Sequence, residues 1–131
     1  MSASAVDGCY AGMVARILVV DSFDPTRAVT ADALRQNGFT VHDVADDDEA
    51  AFLLAREVVD LVLLDLPLED TIEVAAAIRR GTTAGPGPKI FALVDRAATA
   101  QRGRARRAGV EFFLLRPCPP AALLEHLSRM L

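Results

Sequence analysis

The sequence has few residues of the kinds that mark disulfide-bonded or metal-stapled proteins. Among its 131 residues there are two cysteines, Cys9 and Cys118, which lie far apart and form no C-x-x-C spacing. This usage is typical of a reducing compartment and argues against a redox or zinc site. A single domain of this length can bury a core without disulfides or metals, so we expect a fold held together by packing.

Long apolar segments are missing as well. No run approaches the roughly 18–20 residues that a membrane span requires, and residues 1–15 contain no Lys or Arg, so the positive start of a signal peptide is absent. We therefore expect a cytoplasmic protein that does not bind membranes. Because small residues dominate the start, we predict a flexible tail over residues 1–14 and one domain over residues 15–131.

The sequence contains no nucleotide-binding or hydrolytic motif. Neither G-x-x-x-x-G-K-[ST] nor G-x-G-x-x-G occurs, and GPGP at residues 85–88 indicates a loop rather than a phosphate cradle. His42 and His126 are far apart, and Ser22 and Ser128 have no evident His/Asp relay. We expect no enzyme, and a small hydrolase or a nucleotide-binding flavodoxin-like domain is the least favoured of three interpretations.

Charge is unevenly distributed although the formal net charge is only -4. Residues 43–49 contain five acidic residues, and residues 96–107 contain five arginines. Two solvated helical regions of opposite charge are one explanation, and a basic surface that faces a partner is the other. Because no aromatic residues interleave with the arginines, the pattern does not indicate nucleic-acid binding.

Apolar runs alternate with helical patterns along the chain. Runs at residues 17–20, 40–41, 60–65, 89–95 and 110–115 predict strands. Asp24 before Pro25 predicts a helix with Asp24 as its N-cap, and Asp70 and Glu73 have the spacing of a capping box before a later helix. Five strand–helix pairs with short connections predict an α/β fold, with a parallel sheet covered by helices on both faces.

Charged residues end four of the five predicted strands: Asp21, Asp65, Asp95 and Arg116. In such sheets, ligands bind at the carboxyl ends of the strands, where the strand order reverses. Asp21 and Asp65 on adjacent strands would bind Mg²⁺, and one of them would accept a phosphoryl group as a nucleophile. The alternative is that each Asp only caps the helix or turn that follows it.

Three motifs in order resemble the receiver domain of two-component response regulators. They are RILVVDSFDPTR at residues 16–27, VDLVLLDLP at residues 59–67 and GVEFFLLRPCPPAALL at residues 109–124. The resemblance covers roughly residues 15–131. It implies the flavodoxin-like (βα)5 three-layer sandwich with strand order 2-1-3-4-5. It also implies that Asp65 is the phosphoacceptor position, with Asp21 and Asp65 as the metal ligands.

Several positions depart from the pattern of this family. Receivers usually have a second acidic residue, a direct Mg²⁺ ligand, where Ser22 stands, and a Thr or Ser where Asp95 stands. Arg116 takes the place of a Lys that contacts the phosphoryl oxygens, and Phe113, at the aromatic switch position, has no hydroxyl. The loop after Asp65 is shorter than in the family and has no Gly.

These departures predict that Asp65 is not phosphorylated. A phosphoryl group on Asp65 carries close to two negative charges. If the Asp95 carboxylate lay about 5 Å away, its repulsion of each of these charges would be roughly 3 kcal/mol at an effective dielectric near 20. Ser22 binds a hard dication weakly, and we expect Asp24 to be engaged as an N-cap. We therefore expect no cofactor. Mg²⁺ would bind only under the alternative, in which Asp65 accepts phosphate from a histidine kinase.

Arg116 suggests another use of the pocket. A guanidinium pairs with a carboxylate in a bidentate fork that Lys cannot form, so we hypothesise that Arg116 pairs with Asp65, Asp95 or both and fixes one conformation. Unrelated solvated charges are the alternative. The sequence thus predicts a pseudo-receiver, an interaction module that works without phosphorylation. The resemblance implies that residues 99–131 meet a histidine kinase or output protein, or form a homodimer through the fourth helix, fifth strand and fifth helix.

Overall fold

In the computed structural model, which describes residues 9–10, 13–82 and 85–130, strands and helices alternate along the chain. The main sheet has five strands: β1 (Arg16–Asp21), β2 (Thr40–Val44), β3 (Leu61–Asp65), β4 (Lys89–Val94) and β5 (Phe112–Leu115). The helices are α1 (Asp24–Gln36), α2 (Asp47–Leu54), α3 (Leu68–Gly81), α4 (Arg102–Ala108) and α5 (Pro120–Met130), and a 3₁₀ helix (Arg96–Gln101) precedes α4.

The strands of the main sheet are parallel and lie in the order β2-β1-β3-β4-β5. This confirms the predicted order 2-1-3-4-5. The chain leaves β1 in one direction for β2 and returns to the other side of β1 for β3, so the order reverses between β1 and β3. Asp21 and Asp65 are register partners at this point, so the carboxyl ends of the two strands lie side by side.

Alternate residues of each strand face two separate helix layers. Ile17 and Leu63 pack in one cluster with Leu34 of α1 and Leu127 of α5. Leu18, Leu64 and their neighbours pack in a second cluster with α2, α3 and α4. Because both faces of the sheet are covered, the strands are apolar at nearly every position, and this is why they were visible as continuous runs in the sequence.

The predicted start of α1 is wrong by one residue. Phe23, in an extended conformation, is the N-cap, and Asp24 is already the first helical residue. The Asp24 carboxylate contacts Arg27 at 2.6 Å instead of capping the helix. At the other end of α1, Asn37 is the C-cap and Gly38 takes a positive φ of 89°, which a glycine adopts without strain.

The predicted capping box of α3 is also wrong. The helix begins at Leu68, directly after Pro67, whose extended backbone ends the preceding loop. Asp70 therefore lies in the first turn and Glu73 lies inside the helix. The acidic first turn still opposes the positive end of the helix dipole, which is a favourable position for a carboxylate.

The start of the chain is only partly described. Cys9–Tyr10 and Met13–Val14 pair as two short antiparallel strands, a pairing that the sequence did not predict. Residues 1–8 and 11–12 of the predicted tail lie outside the described residues, so the tail stays a prediction. Among the helices of the described ranges, none is long and apolar enough to cross a membrane.

Candidate functional site

Arg116 joins the predicted site residues of three strands at the carboxyl edge of the sheet. Its backbone N–H donates to the carbonyl of Val94 at 3.0 Å, which places it beside the end of β4. Nε and Nη2 lie 2.9 and 2.8 Å from Oδ1 of Asp65, and Nη1 lies 3.3 Å from Oδ1 of Asp95. Arg116 was expected to pair with Asp65, Asp95 or both, and it contacts both carboxylates. Its geometry differs from the expected fork, because both nitrogens meet one oxygen of Asp65.

The same guanidinium also holds the loop that follows β3. Nη2 of Arg116 donates to the carbonyl of Leu66 at 2.9 Å, and the buried hydroxyl of Thr71 donates to that carbonyl at 3.3 Å. Further along, Arg104 of α4 forms a bidentate pair with Glu69, with contacts of 2.7 and 2.9 Å. The loop beside Asp65 is thus held by Arg116 after β5, and the first turn of α3 that follows the loop is held to α4.

Asp21 is buried and engaged by the start of α1. The residue is only 3% exposed. Oδ1 accepts the backbone N–H of Phe23 at 2.9 Å, and Oδ2 accepts the hydroxyl of Thr26. The backbone carbonyl of Asp21 accepts Nη1 of Arg27 at 2.8 Å. Since the N-cap Phe23 has no capping side chain, Asp21 supplies the carboxylate that anchors this end of α1.

Two further candidates lie outside the group around Arg116. Ser22 is exposed. Asp24 pairs with Nη2 of Arg27. The same arginine contacts Asp43 on β2 through its Nε, at 3.3 Å. The expectation that Asp24 is engaged elsewhere therefore holds, although its partner is Arg27 and not the helix backbone.

Asp65 carries unfavourable charge in spite of its partner. Burial raises the pKa of Asp65 above its ordinary value, the hydrogen bond from Arg116 opposes this increase, and the negative charge of Asp21 adds to it. The net result is a pKa of Asp65 above its ordinary value. One guanidinium therefore offsets only part of the cost of burying the Asp65 carboxylate beside Asp21.

As arranged, these donors do not fit a divalent cation. Mg²⁺ requires near-octahedral oxygen ligation, and in the described ranges no group of three or more His, Cys, Asp or Glu residues is placed to hold a metal ion. Both carboxylate oxygens of Asp21 accept hydrogen bonds, and Oδ1 of Asp65 is taken by Arg116. A dication would first have to displace the guanidinium.

An open cleft of about 790 Å³ adjoins this group between the starts of α1 and α5. Its lining is mainly apolar, and the carboxylates and Arg116 stand at one end. Cys118 also lines it. Burial raises the pKa of the Cys118 thiol, and the negative charge of Asp65 raises it further. Both effects favour the protonated thiol over the thiolate, which is the more nucleophilic form.

Comparison with known families shows which domains this sequence is similar to. The sequence profile described as "Response regulator receiver domain" matches residues 17–128. This chain belongs to the response regulator receiver domain family. The match extends over both strands that carry the Asp21 and Asp65 pair and over the Arg116 region, so the resemblance inferred from three motifs is confirmed for the domain as a whole.

Curated relatives are larger proteins that contain such a domain. The receiver is 33% identical over 120 residues to ethylene receptor 2 of Oryza sativa subsp. japonica, covering 88% of this chain and 16% of the relative. It is 34% identical over 120 residues to response regulator MprA of Mycolicibacterium vanbaalenii, covering 90% of this chain and 49% of the relative. The chain thus spans half or less of the length of these relatives.

Solved structures share the fold. Chemotaxis response regulator CheY4 of Vibrio cholerae has a TM-score of 0.79 at 24% identity, covering 89% of this chain and 98% of that one. The receiver domain of sensor histidine kinase PA1611 from Pseudomonas aeruginosa, solved with a magnesium ion in its active-site cleft, has a TM-score of 0.73 at 30% identity. That match covers 88% of this chain and 95% of the other.

Phe113 lies apart from the carboxylate pocket of this receiver. It packs in the cluster of the α2–α3–α4 layer. The guanidinium carbons of Arg102 and Arg106 lie 5.5 and 5.3 Å from the centroid of its ring, within the range of cation–π attraction. Its contacts thus tie β5 to α4, the helix that carries the arginines.

Sequence reasoning missed three contributors to the receiver pocket: Thr26, Arg27 and the carbonyl of Leu66. Thr26 and Arg27 stand in the first turn of α1 and could have been found from their position after Asp21. The Leu66 carbonyl had no signal in the sequence, because a backbone acceptor is present at every residue and only the path of the loop brings it to Arg116.

Proposed function

We propose that this receiver domain is a protein-interaction module that works without phosphorylation, in which Arg116 occupies the carboxylate oxygen of Asp65 that a divalent cation would otherwise compete for. The observation that carries the proposal is that one guanidinium contacts Asp65, Asp95 and the Leu66 carbonyl. A planar group with five donors can satisfy several acceptors at once. The pocket is thereby held in one conformation by the chain itself.

The contact at Asp65 supports this proposal more strongly than the charge of Asp95 does. Phosphoryl transfer would form a bond between phosphorus and a carboxylate oxygen of Asp65 as the donor's leaving group departs, and two nitrogens of Arg116 already contact Oδ1. The Asp95 side chain is 69% exposed. Water therefore screens its repulsion of a phosphoryl group to well below the roughly 3 kcal/mol expected for a pair in partly buried surroundings.

Mass spectrometry after treatment with a small phosphodonor and Mg²⁺ tests the proposal. We expect no gain of about 80 Da, the mass of one phosphoryl group, in the wild-type chain. The triple variant Ser22→Asp/Asp95→Thr/Arg116→Lys, which carries the residues usual in the family, should accept the group. A stoichiometric gain in the wild type that is lost in Asp65→Asn would overturn the proposal.

The second candidate is a receiver that accepts phosphate on Asp65 from a histidine kinase. The observation in its favour is the receiver of PA1611, which is 30% identical to this chain and was solved with a magnesium ion in its active-site cleft. Asp65 also faces an open cleft that a donor can enter. Under this alternative, Mg²⁺ displaces Arg116 from Asp65, and the same mass experiment gives the opposite result.

The partner in this proposal is a signalling protein of the cytoplasm, either a histidine kinase or an output protein, and the module itself catalyses no reaction. The face formed by α4, β5 and α5 carries the arginines and would meet an acidic partner surface or a second copy. Charge of this kind raises the association rate more than the affinity. We expect association with a cognate partner to slow as salt is added, whereas a rate unaffected by salt would refute the electrostatic part.

A further inference from the structure

Helices α2 and α3 lie side by side on one face of the sheet. Ala50 of α2 and Val74 and Ile78 of α3 belong to the same buried cluster. Because each helix returns the chain from the carboxyl edge of a parallel sheet to its amino edge, the two helices run in the same direction. Their first turns therefore lie at one end of the surface between them, and their last turns lie at the other end.

An apolar groove of about 440 Å³ runs between these two helices. Its lining includes the exposed small residues Ala51 and Ala55 of α2 and Ala77 and Gly81 of α3. In each helix the two residues lie one turn apart and form a row along the helix. A Cβ added at Gly81 would face open space. Leu54 adds a partly exposed apolar side chain. Rows of small residues allow another helix to pack closely between them.

Three carboxylates stand at one end of the groove. Asp47 and Asp48 belong to the first turn of α2, and Glu73 is the groove residue nearest to the start of α3. All three are exposed, and none of them takes part in a salt bridge of the described ranges. The helix dipole accounts for carboxylates in a first turn but does not reach Glu73. Ala77 stands one turn later, where a basic partner on the same helix would be.

The opposite end of the groove differs in charge. Its lining residues there are uncharged: Ala55, Gly81, Thr82 and Pro88. Arg80 is exposed in the last turn of α3. The length of the groove follows from α2, whose 8 residues, at about 1.5 Å each, form a wall of about 12 Å, or two helical turns. The groove is thus short, apolar along its length and negative at one end only.

We propose that this groove binds an amphipathic helix of a partner protein, with apolar side chains at i, i+4 and i+7 in the groove and Lys or Arg residues against Asp47, Asp48 and Glu73. Two turns of such a helix match the length of the groove. Charge complementarity also sets the direction of the helix, because its basic residues would meet Arg80 at the other end. The negative end excludes nucleic acid, since it would repel phosphates.

The basic helix of this chain does not fit the groove. In α4, the guanidinium groups of Arg102 and Arg106 lie against the ring of Phe113. The apolar residues of the same helix, Ala105 and Ala108, pack in the cluster beneath it. Helix α4 therefore has no free apolar stripe to offer to a second copy. The occupant that matches the groove is a helix of another protein.

This inference rests on one part of the proposed function, the role of the domain as an interaction module, and names the chemistry of a partner. It does not involve the contacts of Arg116 with Asp65. A receiver that accepts phosphate on Asp65 and still binds the helix would refute the independence from phosphorylation alone. A receiver that accepts no phosphate and binds no helix would refute the groove alone.

Selection from a phage-displayed library of helical peptides, about four turns long and randomised without bias in charge, tests the groove. We expect the selected peptides to combine Lys or Arg at one end with apolar residues at i, i+4 and i+7. Synthetic peptides of these sequences should shift the backbone amide NMR signals of Ala51, Leu54 and Ala77. Their affinity, measured by fluorescence anisotropy, should weaken as salt is added.

Two variants separate the charge of the groove from its shape. Asp47→Asn/Asp48→Asn/Glu73→Gln removes the negative end and keeps the size of the side chains. Ala77→Leu leaves the charge unchanged and narrows the groove with a residue that favours helix. Each change should weaken the binding of a selected peptide at least about tenfold. Circular dichroism establishes that both variants are folded.

The control is Asp24→Asn/Asp32→Asn/Glu125→Gln. It makes the same change of charge at exposed carboxylates of α1 and α5, which cover the other face of the sheet, and should leave the affinity unchanged. A control that weakens binding as much as the charge variant would overturn the proposal. So would selected peptides without basic residues, peptides that bind no more tightly than about 1 mM, or peptides that shift the signals of α4, β5 and α5 instead. Self-association of the wild type through the groove would make a second copy the occupant and would also overturn it.

Discussion

Two nitrogens of Arg116 converge on a single carboxylate oxygen of Asp65, with Nε at 2.9 Å and Nη2 at 2.8 Å from Oδ1. The two side chains come from the ends of β5 and β3, which are separated in the sheet by β4. The contact therefore spans the carboxyl edge of the sheet. It also places a fixed positive charge against the Asp65 carboxylate, the position on which the proposed function depends.

Loss of this contact should destabilise the fold. Arg116→Ala leaves Asp65 and the Leu66 carbonyl without their donor, and the paired side chains are only 28% and 24% exposed. We expect the free energy of unfolding in urea to fall by about 2 kcal/mol. Arg116→Lys should recover less than half of this loss, because one ammonium cannot replace the three guanidinium nitrogens at their separate positions.

The matched control for Arg116 is Arg129→Ala. It removes an exposed pair with Glu125 on α5, for which we expect a loss of at most about 0.5 kcal/mol. If the Arg116 and Arg129 variants unfold at the same urea concentration as the wild type, the contact does not hold the pocket.

Ionisation of Asp65 should reduce stability, and the effect has a defined sign. The pKa of Asp65 in the folded state is raised above its ordinary value of 3.8, mainly by burial, so the folded state binds this proton more tightly than the unfolded state. The contribution of Asp65 therefore becomes more favourable as the pH falls through its folded pKa, and levels off below 3.8. Above the folded pKa of Asp65, its carboxylate is ionised in the folded state, and the full loss of stability from that buried charge is present.

Comparison with Asp65→Asn isolates this contribution from other carboxylates. We compare the free energy of unfolding of the variant with that of the wild type. The difference should favour the variant more at pH 7 than at pH values near the ordinary pKa of an aspartate, about 4, because only the wild type has a buried carboxylate to ionise. Urea unfolding at several pH values measures the difference, and an NMR titration of the Asp65 carboxyl carbon gives the pKa directly. A difference that is constant with pH, or that changes in the opposite direction, would contradict the pKa increase.

Thr26 should matter more than its exposed position suggests. Thr26→Val keeps the shape of the side chain but removes the hydroxyl that donates to the buried carboxylate of Asp21. We expect a loss of about 1–2 kcal/mol in the free energy of unfolding, since a charged acceptor is left with one donor fewer. Thr30→Val, one turn later on the same helix, is the control and should change stability by less than about 0.5 kcal/mol. Equal effects of the two changes would show that Asp21 does not depend on the hydroxyl.

Two glycines near α4 should respond to alanine in opposite directions. Gly109 ends α4 with a φ of 120°, and a Cβ there would come within 2.6 Å of the Arg79 side chain. Arg79 holds the carbonyls of Pro86, Pro88 and Gly109 together. We expect Gly109→Ala to destabilise the domain by about 1–3 kcal/mol.

Gly103 lies inside α4, where a Cβ would contact only the flexible end of Arg107, at 3.3 Å. Gly103→Ala should therefore stabilise the domain by roughly 0.5–1 kcal/mol through helix propensity. Thermal unfolding of the two variants side by side gives the signs. A Gly109→Ala protein as stable as the wild type would mean that the turn after α4 is not constrained as described.

The fold and the pairing at its edge were predictable for different reasons. The strands were visible because helices cover both faces of the sheet, which leaves runs such as Ile17–Val20 apolar throughout. Arg116 was predictable because it ends a strand near two acidic positions and a guanidinium needs such partners. The expected fork was wrong in detail, because the approach of a side chain depends on the loop after β3.

Local capping was less predictable than the overall topology. Asp24 has the residue type and the spacing of an N-cap, but Asp21 already anchors this end of α1 and Arg27 takes the Asp24 carboxylate. Asp70 and Glu73 fit a capping box, but Pro67 ends the loop earlier and the helix begins before them. In both cases, a tertiary contact or a backbone constraint prevailed over a pattern of residue types.

A titration of Mg²⁺ into the wild-type chain, followed through the backbone amide NMR signals of Asp21, Asp65 and Leu66, tests the central claim most directly. If the contact of Arg116 keeps Asp65 from ligating a dication, these signals should not change in a saturable manner at millimolar Mg²⁺, whereas the triple variant Ser22→Asp/Asp95→Thr/Arg116→Lys should show saturation. Saturable changes at all three residues of the wild type, absent from Asp65→Asn, would contradict the account.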